Sequence, residues 1–171
     1  GLGLVPEDRQ YHGLVLPMSI AANISLPILS RFATAGWLHR REEKDAAARA
    51  AQRLEVKSAG IQQEARELSG GNQQKVVLTK WLETDPRILI LDEPTRGIDV
   101  GTKTAVHRLM RELSRQGVGI LMISSELPEI LGMSDRILVM REGRISGEFT
   151  HEEATQEKLM SVATSADTPV A

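Results

Sequence analysis

Cysteine is absent from this chain, and aromatic side chains make up only 3% of its residues. Without cysteine, neither a disulfide framework nor a thiolate metal site can form. So few aromatic rings exclude a platform on which nucleic-acid bases could stack. The formal net charge of −2 also lacks the basic excess that neutralises a phosphate backbone. We therefore expect no nucleic-acid partner.

Long apolar runs are missing as well. No apolar stretch of the sequence approaches the ~20 residues that a membrane-spanning helix needs. If the protein works at a membrane, another subunit must therefore span it. The four histidines, His12, His39, His107 and His151, are scattered without the spacing of metal ligands, so we assign them no metal.

The pattern GxxxxGKS/T does not occur in these residues. It forms the loop whose backbone cradles nucleotide phosphates and whose lysine reaches them. The sequence opens on an apolar strand pattern at 1–5 and not on methionine. We interpret the chain as the carboxy-terminal piece of a longer protein. This interpretation predicts that the 171 residues alone are marginally stable or aggregate, because apolar surface would lack its packing partners.

The most informative stretch that is present covers residues 68–75 and reads Leu-Ser-Gly-Gly-Asn-Gln-Gln-Lys. Gly70 and Gly71 remove side chains where a backbone must come close to a ligand, and Ser69 suits a helix N-cap. The apolar spacing that follows predicts a helix through Leu82. The N-terminus of such a helix favours an anion, and phosphate is the natural guest. Taken alone, the stretch also fits an ordinary capped helix after a glycine-rich turn.

A second signal is the apolar run at 88–91, which follows Pro86 and ends abruptly in Asp92 and Glu93. It predicts a central parallel strand buried on both faces, and ligands bind at the carboxyl ends of such strands. One carboxylate can hold Mg²⁺, which prefers oxygen ligands and keeps waters beside phosphates. The next can orient or deprotonate an attacking water. A solvated acidic turn is the simpler alternative, and the stretch 69–71 directly upstream makes it the weaker one.

Together these motifs resemble the nucleotide-binding subunits of ABC transporters, over nearly the whole chain up to about residue 160. Residues 68–75 look like the signature motif of that family, and 88–94 look like its Walker B strand. Residues 97–99 fall at the D-loop, and 123–126 fall at the switch region. In detail the motifs look most like the second ATPase half of the fused importers for ribose, rhamnose, galactose and autoinducer-2.

The resemblance implies the binding of ATP and Mg²⁺ and gives a role to each matching residue. Asp92 is the implied Mg²⁺ carboxylate, Glu93 the general base and Ser125 the switch residue, all serving the site of their own half. The signature would serve ATP bound by another half across a head-to-tail sandwich. The implied ATP-binding residues of the signature, the D-loop and the glutamine-loop position are Leu68, Ser69, Gly70, Gly71, Asn72, Gln73, Asp99 and Glu7.

Two departures from the family pattern bear on mechanism. Ser125 stands where a histidine usually contacts the γ-phosphate, and a serine hydroxyl can donate a hydrogen bond but cannot carry positive charge. Glu7 stands where a glutamine is expected, and Gln10 is not a clean substitute. The sequence therefore does not assign the metal and water contacts that the glutamine of this position usually makes.

The resemblance implies an α/β fold, with a P-loop NTPase-like ABC ATPase core and a helical signature subdomain. The core would be incomplete at the amino end, because the Walker A loop is absent. Residues 1–163 would form one partial nucleotide-binding domain, with the helical subdomain at about 14–84 and the core at about 1–13 and 85–163. A flexible tail would occupy 164–171.

Local patterns predict the elements of this fold in chain order. Strands are expected at 1–5, 88–91 and 118–123, the last also buried, with a hairpin at 136–140 and 144–149. Helices are expected at 19–26, 40–55, 70–82, 99–113, 128–131 and 151–162. A charged loop at 6–13 and a connector at 27–36 complete the pattern.

Two interpretations of the unusually apolar segment 13–20 stay open. The resemblance implies that it follows the glutamine loop and meets a short cytoplasmic helix of the membrane subunit. Alternatively, Leu14, Leu16 and Ile20 pack inside the helical subdomain.

The leading functional hypothesis is the ATP-binding and hydrolysing component of an ABC importer that takes up a monosaccharide or related small sugar. The implied partners are an upstream nucleotide-binding half or a second copy, transmembrane permease subunits and, indirectly, a periplasmic sugar-binding protein. The implied location is peripheral, at the cytoplasmic face of the inner membrane. Without a Walker A loop, these residues alone are expected to be inactive.

Two alternatives remain. The departures at Ser125 and Glu7 fit a catalytically degenerate half whose nucleotide site regulates the other. A soluble ABC-type ATPase outside transport is the second alternative, and it would be expected to carry a coiled-coil insertion or a basic linker that this sequence lacks.

Overall fold

The structure is a computed structural model that describes residues 1–164. The predicted flexible tail therefore lies outside the described residues, except for Thr164, which ends a helix. The chain divides into two compact units, residues 1–123 and the residues from 124 onward. The predicted division into a helical subdomain and an ATPase core stays a prediction.

The first unit is built on a three-stranded parallel sheet in the order β1-β4-β5. Strand β1 spans Leu2–Val5, β4 spans Ile88–Asp92 and β5 spans Gly119–Ile123. The predicted strands are thus confirmed in place. Because the strands are parallel, their carboxyl ends lie at one edge of the sheet.

The two faces of this sheet differ in burial. Leu89 and Leu91 are completely buried on one face. On the other, Leu4 and Leu121 lie in one row across the strands, each beside Ile90, and they are 44% and 50% exposed. The prediction that the strands at 88–91 and 118–123 are buried is therefore wrong for one face, because no described residue covers it.

Three helices of the first unit pack together. They are α1 Ile20–Ser25, α2 Arg40–Arg53 and α3 Gly70–Leu82. The Ser19 hydroxyl starts α1 by accepting the Ala22 amide at 3.2 Å. Small buried alanines of α2 let neighbouring backbones approach, and the apolar stripe of α3 is buried as its spacing predicts.

A fourth helix, α4 Val100–Arg115, follows the sheet strand β4 and ends before Gly117, whose φ of +90° suits glycine. The predicted cap at Asp99 is confirmed, because its carboxylate accepts the Thr102 amide at 3.0 Å. At 16 residues α4 is the longest helix of the part of the chain that the structure describes. Within residues 1–164, no helix combines the length and the apolar character needed to cross a membrane.

Two predicted loops have more structure than expected. The charged loop at 6–13 contains a π-helical turn, Arg9–Gly13, because the Asp8 carboxylate accepts the amides of Gln10 and Tyr11 at 2.9 and 3.0 Å. The connector at 27–36 contains a 3₁₀ helix and two short strands, β2 and β3. Their bounds are Leu26–Phe32 for the 3₁₀ helix, Ala33–Thr34 for β2 and Trp37–Leu38 for β3.

The apolar segment 13–20 is held from within. The completely buried Asn23 side chain accepts the Val15 amide at 2.7 Å and donates to the Val15 carbonyl at 3.0 Å. Leu14 and Ile20 are buried, so the packing interpretation is confirmed for both. Leu16 is half-buried, and its predicted coupling role stays a prediction.

The second unit begins at Ser124 and contains a helix, a hairpin and a second helix. The hairpin has a register shift between Val139 and Met140. The helix predicted at 151–162 is wrong at its start, because residues 151–153 form a turn in which the Glu153 carboxylate accepts bonds from Thr150, and α6 begins only at Gln156. The bounds are α5 Leu127–Met133, β6 Arg136–Arg141, β7 Arg144–Thr150 and α6 Gln156–Thr164.

We expect the isolated 171-residue chain to self-associate through the uncovered apolar row of the sheet. The double variant Leu4→Lys/Leu121→Lys should shift the chain toward monomer in sedimentation velocity, because both side chains point out of the fold.

Leu89→Lys is the matched control, since Leu89 lies in the same sheet but is completely buried. It should unfold the first unit and lower its helical signal in far-ultraviolet circular dichroism, whereas the double variant should keep that signal. A monodisperse wild-type chain with a cooperative unfolding transition at high temperature would contradict the prediction of self-association.

Candidate functional site

Four chain segments of the first unit meet near the carboxyl ends of β1 and β4. They are residues 7–10 after β1, the turn 93–99 after β4, the start of α3 and the start of α4. Side-chain hydrogen bonds and close approaches at glycines join them. The structure therefore brings the predicted signature residues to the D-loop residues, and Glu7 to the turn that follows the predicted Walker B strand.

Glu93 lies where β4 turns away from the sheet. Asp92 is the last residue of β4 and pairs with Ile123, and the Glu93 amide still donates to the Ile123 carbonyl at 2.9 Å. Glu93 itself has a φ of +46°, a left-handed conformation that costs a residue other than glycine about 1 kcal/mol or more. Buried Pro94 and Thr95 anchor the turn beyond it. The backbone of Glu93, the candidate base, is therefore held in a fixed position at the end of β4.

Asp92 is the residue that would hold Mg²⁺. Its half-buried carboxylate makes no hydrogen bond or ion pair with any other of residues 1–164, so its oxygens are available to an ion. The same residues contain no group of three or more histidines, aspartates or glutamates placed to hold a metal. Mg²⁺ is usually held by one or two carboxylates, waters and substrate phosphates. Asp92 fits that manner of binding.

The N-terminus of α3 is built differently from a usual serine cap. Ser69 has the extended backbone of an N-cap residue, but its side chain caps no amide. Its hydroxyl oxygen instead accepts a bond from the Asn72 side-chain amide at 2.9 Å, and the Asn72 oxygen accepts the Lys57 amide at 2.8 Å. The side chain of Ser69 therefore leaves the first helix amides to other acceptors, such as an anion.

Both signature glycines lie close to side chains from other segments of the chain. A Cβ added to Gly70 would lie 2.7 Å from Nη2 of Arg9, and one added to Gly71 would lie 2.7 Å from Oγ1 of Thr102. The latter would also lie 3.2 Å from Oδ2 of Asp99. The predicted approach of a ligand to these glycines stays a prediction, whereas their contact with α4 and Arg9 is structural.

Two predicted ATP-binding residues, Leu68 and Gln73, point into the protein. Leu68 is buried and Gln73 is only 2% exposed. The Gln73 side chain donates to the Ala65 carbonyl and accepts from Nε2 of Gln10, both at 3.1 Å. Their direct role in binding ATP stays a prediction, while their packing holds the start of α3 in place.

Asp99 ties the D-loop to the start of α4. Its Oδ1 accepts the Thr102 amide at 3.0 Å and its Oδ2 accepts the Thr102 hydroxyl at 2.8 Å. The Thr102 amide and then its hydroxyl lower the pKa of Asp99 below its ordinary value. Asp99 therefore carries its negative charge beside Gly71 at neutral pH.

Glu7 pairs with the Arg96 guanidinium, and neighbouring Arg9 donates to the carbonyls of Arg96 and Gly97 at 3.1 and 3.4 Å. Both side chains of the Glu7–Arg96 pair are about half exposed or more, so the pair contributes about 0–1 kcal/mol. Sequence reasoning missed Arg9 and Arg96. Arg9 lies in the charged run after β1 and Arg96 in the turn after β4, and neither position indicated a partner.

Ser125 belongs to the second unit and follows β5 by two positions in the sequence. Its neighbour Ser124 donates from its hydroxyl to Oε2 of Glu129 at 2.6 Å and accepts the Glu126 amide at 3.1 Å. Glu129 is buried. These bonds order the switch segment on its own unit, and the catalytic role of Ser125 stays a prediction.

We expect Gln73→Leu to loosen the start of α3. The change removes the two bonds that the Gln73 side chain makes, to the Ala65 carbonyl and from Gln10 Nε2, at about 1–3 kcal/mol in total. Exchange of the hydrogen-bonded amides at 73–77 of α3 should accelerate roughly 5- to 150-fold, as measured by hydrogen–deuterium exchange. Gln62→Leu is the control, because Gln62 is exposed, and equal acceleration by the two variants would contradict the prediction.

The lowered pKa of Asp99 predicts a pH dependence with a defined sign. Because the folded pKa lies below the unfolded value, this carboxylate stabilises the fold above the unfolded pKa and loses that effect as the pH falls through the folded pKa. Thr102→Val removes the hydroxyl donor and should raise the Asp99 pKa in an NMR titration. An unchanged pKa would show that the hydroxyl contributes nothing.

Comparisons with known proteins agree with this geometry. The sequence pattern described as "ABC transporter" matches residues 2–96. A putative ribose/galactose/methyl galactoside import ATP-binding protein of Rhizobium etli is 56% identical over 164 residues, which cover 96% of this chain and 31% of that protein. The ribose import ATP-binding protein RbsA of Bacillus subtilis is 54% identical over 164 residues, covering 96% and 33%. The chain thus spans about a third of the length of these relatives.

Solved structures show the same fold. The dimeric ATP-binding cassette MJ0796, described in a post-hydrolysis state with ADP and Pi, aligns with a TM-score of 0.74 at 21% identity. The alignment covers 88% of this chain and 62% of that chain. The α/β architecture expected from the sequence is therefore confirmed. With more than half of its residues matched by the family pattern, this chain belongs to the ABC transporter family.

Proposed function

We propose that these residues form part of the ATP-binding and hydrolysing component of an ABC importer for a monosaccharide or related small sugar. The observation that carries the proposal is the path of the chain from β4 to α4. Asp92 ends β4 and Glu93 follows it, and Asp99, at the other end of the same turn, lies against Gly71 of the signature. The names of the relatives, which import ribose or galactose, supply the substrate class.

In this proposal each carboxylate has its own task. Asp92 holds Mg²⁺, which when bound neutralises phosphate charge and orients the phosphates. Glu93 accepts a proton from the attacking water, or orients that water, from a fixed start at the end of β4. The phosphates themselves need a GxxxxGKS/T loop, which these residues do not contain. We propose that another part of the working protein supplies it.

The signature serves a nucleotide held by an opposing half. Ser69 and the amides at the start of α3 favour an anion, because the side chain of Ser69 caps none of them. Asp99 lies beside the same helix start, so both motifs would face one nucleotide across a head-to-tail pair. That opposing half is a nucleotide-binding half of the same chain or a second copy.

Transport requires a membrane partner. We propose that permease subunits span the membrane, that these residues work peripherally at its cytoplasmic face, and that a periplasmic sugar-binding protein acts only through the permease. Leu16 and the exposed Val15 and Met18 are the candidate surface for the permease. Closure of the two halves on ATP would then be transmitted through this segment.

A second candidate function is a regulatory half whose partner performs hydrolysis. It is supported by the engagement of Glu7 with Arg96 and by the uncharged Ser125 at the switch position. A soluble ABC-type ATPase is a weaker candidate, because the relatives are named import proteins.

The deciding measurement is Mg-ATP hydrolysis by the longer protein that contains these residues, assembled with its permease. Glu93→Gln removes the candidate base and should lower kcat about 10²- to 10⁴-fold. Ser69→Arg should abolish turnover at the opposing site, because its bulky cation fills the helix start. Glu42→Gln on the exposed side of α2 is the control and should change nothing.

The pattern of losses separates the candidates. If both variants abolish turnover, the two sites are catalytically coupled and the importer proposal stands. If only Ser69→Arg does so, this half lends its signature to the partner and its own site is regulatory. If neither does, the proposed ATPase function is wrong.

A further inference from the structure

We propose that Arg9 is a positioning residue that fixes the turn 96–99 against the start of α3, so that Asp99 and Ser69 are presented together to one nucleotide. This inference rests on the proposed function and adds a residue to it. No pattern in the sequence pointed to Arg9, and Glu7, the residue expected to act from this segment, pairs with Arg96 instead.

The guanidinium of Arg9 lies between two glycines that belong to different motifs. Its Nη1 donates to the Arg96 carbonyl at 3.1 Å and its Nη2 donates to the Gly97 carbonyl at 3.4 Å. On the other side, Nη2 would lie 2.7 Å from a Cβ at Gly70. A side chain at Gly70 would therefore displace the guanidinium from the turn.

The geometry requires arginine in particular. The planar guanidinium presents several N–H donors in a fixed fork, so one side chain can hold two successive carbonyls. A lysine ammonium is a single point of charge on a flexible stem and can reproduce only part of this contact. The second carbonyl belongs to Gly97, whose φ of +66° places it in the left-handed region.

A shift of the turn 96–99 would also move Asp99. The Asp99 carboxylate caps α4, and its Oδ2 would lie only 3.2 Å from a Cβ at Gly71. The turn enters from Glu93, whose carbonyl accepts the Arg96 amide at 3.2 Å. Arg9 holds the middle of the turn, between these two fixed ends.

The π-helical turn that contains Arg9 also contacts α3. Gln10, the residue after Arg9, donates from Nε2 to Oε1 of buried Gln73 at 3.1 Å. Arg9 and Gln10 thus reach from one π-helical turn to the D-loop and to the signature helix. The exposed Glu7–Arg96 pair lies at the rim of this arrangement and is screened by water.

The test uses steady-state ATP hydrolysis by the longer protein that contains these residues, assembled with its permease. Arg9→Ala should lower kcat about 10- to 100-fold, the range typical of lost positioning, with KM for ATP changed less than about twofold. Arg9→Lys should recover part of the loss. Arg49→Ala is the matched control, because Arg49 is an exposed arginine of α2, and its kcat should equal wild type.

A double-mutant cycle separates positioning from general damage. If Arg9 acts through the turn, Arg9→Ala/Asp99→Ala should be no slower than Asp99→Ala alone. Gly70→Ala, which pushes on the guanidinium, should likewise add nothing in the Arg9→Ala background. Multiplicative losses in both cycles, or wild-type turnover of Arg9→Ala, would overturn the inference.

The outcomes also distinguish this inference from the proposed function. If Ser69→Arg abolishes hydrolysis while Arg9→Ala leaves it intact, only the inference fails. If wild-type protein with its permease hydrolyses no ATP, or Ser69→Arg has no effect, the proposed function fails first. Should Arg9→Ala not fold, the milder Arg9→Lys and Gly70→Ala give the same comparison, and wild-type kcat in both would overturn the inference.

Discussion

The parallel ladder of β1, β4 and β5 is the constraint on which the candidate site depends. Its register sets Val5 beside Leu91 and Asp92 beside Ile123, so the segments that leave β1 and β4 start from the same edge. Glu7 and Arg9 follow the first strand, and the turn 93–99 follows the second. Because the ladder fixes both starting points, single side chains such as Arg9 and the Glu7–Arg96 pair can join the two segments.

The close approach of the starts of α3 and α4 is the second constraint on the candidate site. The starts of α3 and α4 come so near that Gly71 has no room for a Cβ beside Thr102 and Asp99. At Gly70 the near neighbour is the flexible end of Arg9, which an added Cβ would displace. The glycines of a predicted ligand loop therefore also act as packing residues. A substitution there moves neighbouring charged and polar groups as well as any bound phosphate.

The buried polar groups around this region hold it more strongly than its exposed ion pair does. Gln73 and Asn23 are almost completely buried, and each satisfies several backbone or side-chain groups. A buried donor left unpaired costs about 1–3 kcal/mol, whereas an exposed pair such as Glu7–Arg96 contributes about 0–1 kcal/mol. The start of α3 is therefore held mainly by the buried Gln73 side-chain amide and less by the exposed Glu7–Arg96 pair. Asn23 does the same for the segment at Val15.

Local sequence was sufficient for the elements with strong periodicity or clear caps. Apolar spacing placed α3 and β4, and Asp99 placed the start of α4. Where structure depended on a short-range side-chain bond, as at Asp8 and the turn after it, the pattern did not show it. Burial of both faces of the sheet was also wrong, since an apolar run does not reveal which neighbours are present to cover it.

The sequence by itself determined the family and the α/β class and predicted the signature and Walker B residues, because the motifs that carry the resemblance are residue types at fixed spacing. Only the tertiary structure decided what those residues contact. It turned Gln73 inward, paired Glu7 with Arg96, and brought Arg9 to Gly70 and Gly97 across more than sixty positions of chain. Such contacts join segments distant in sequence, and no local period or spacing encodes them.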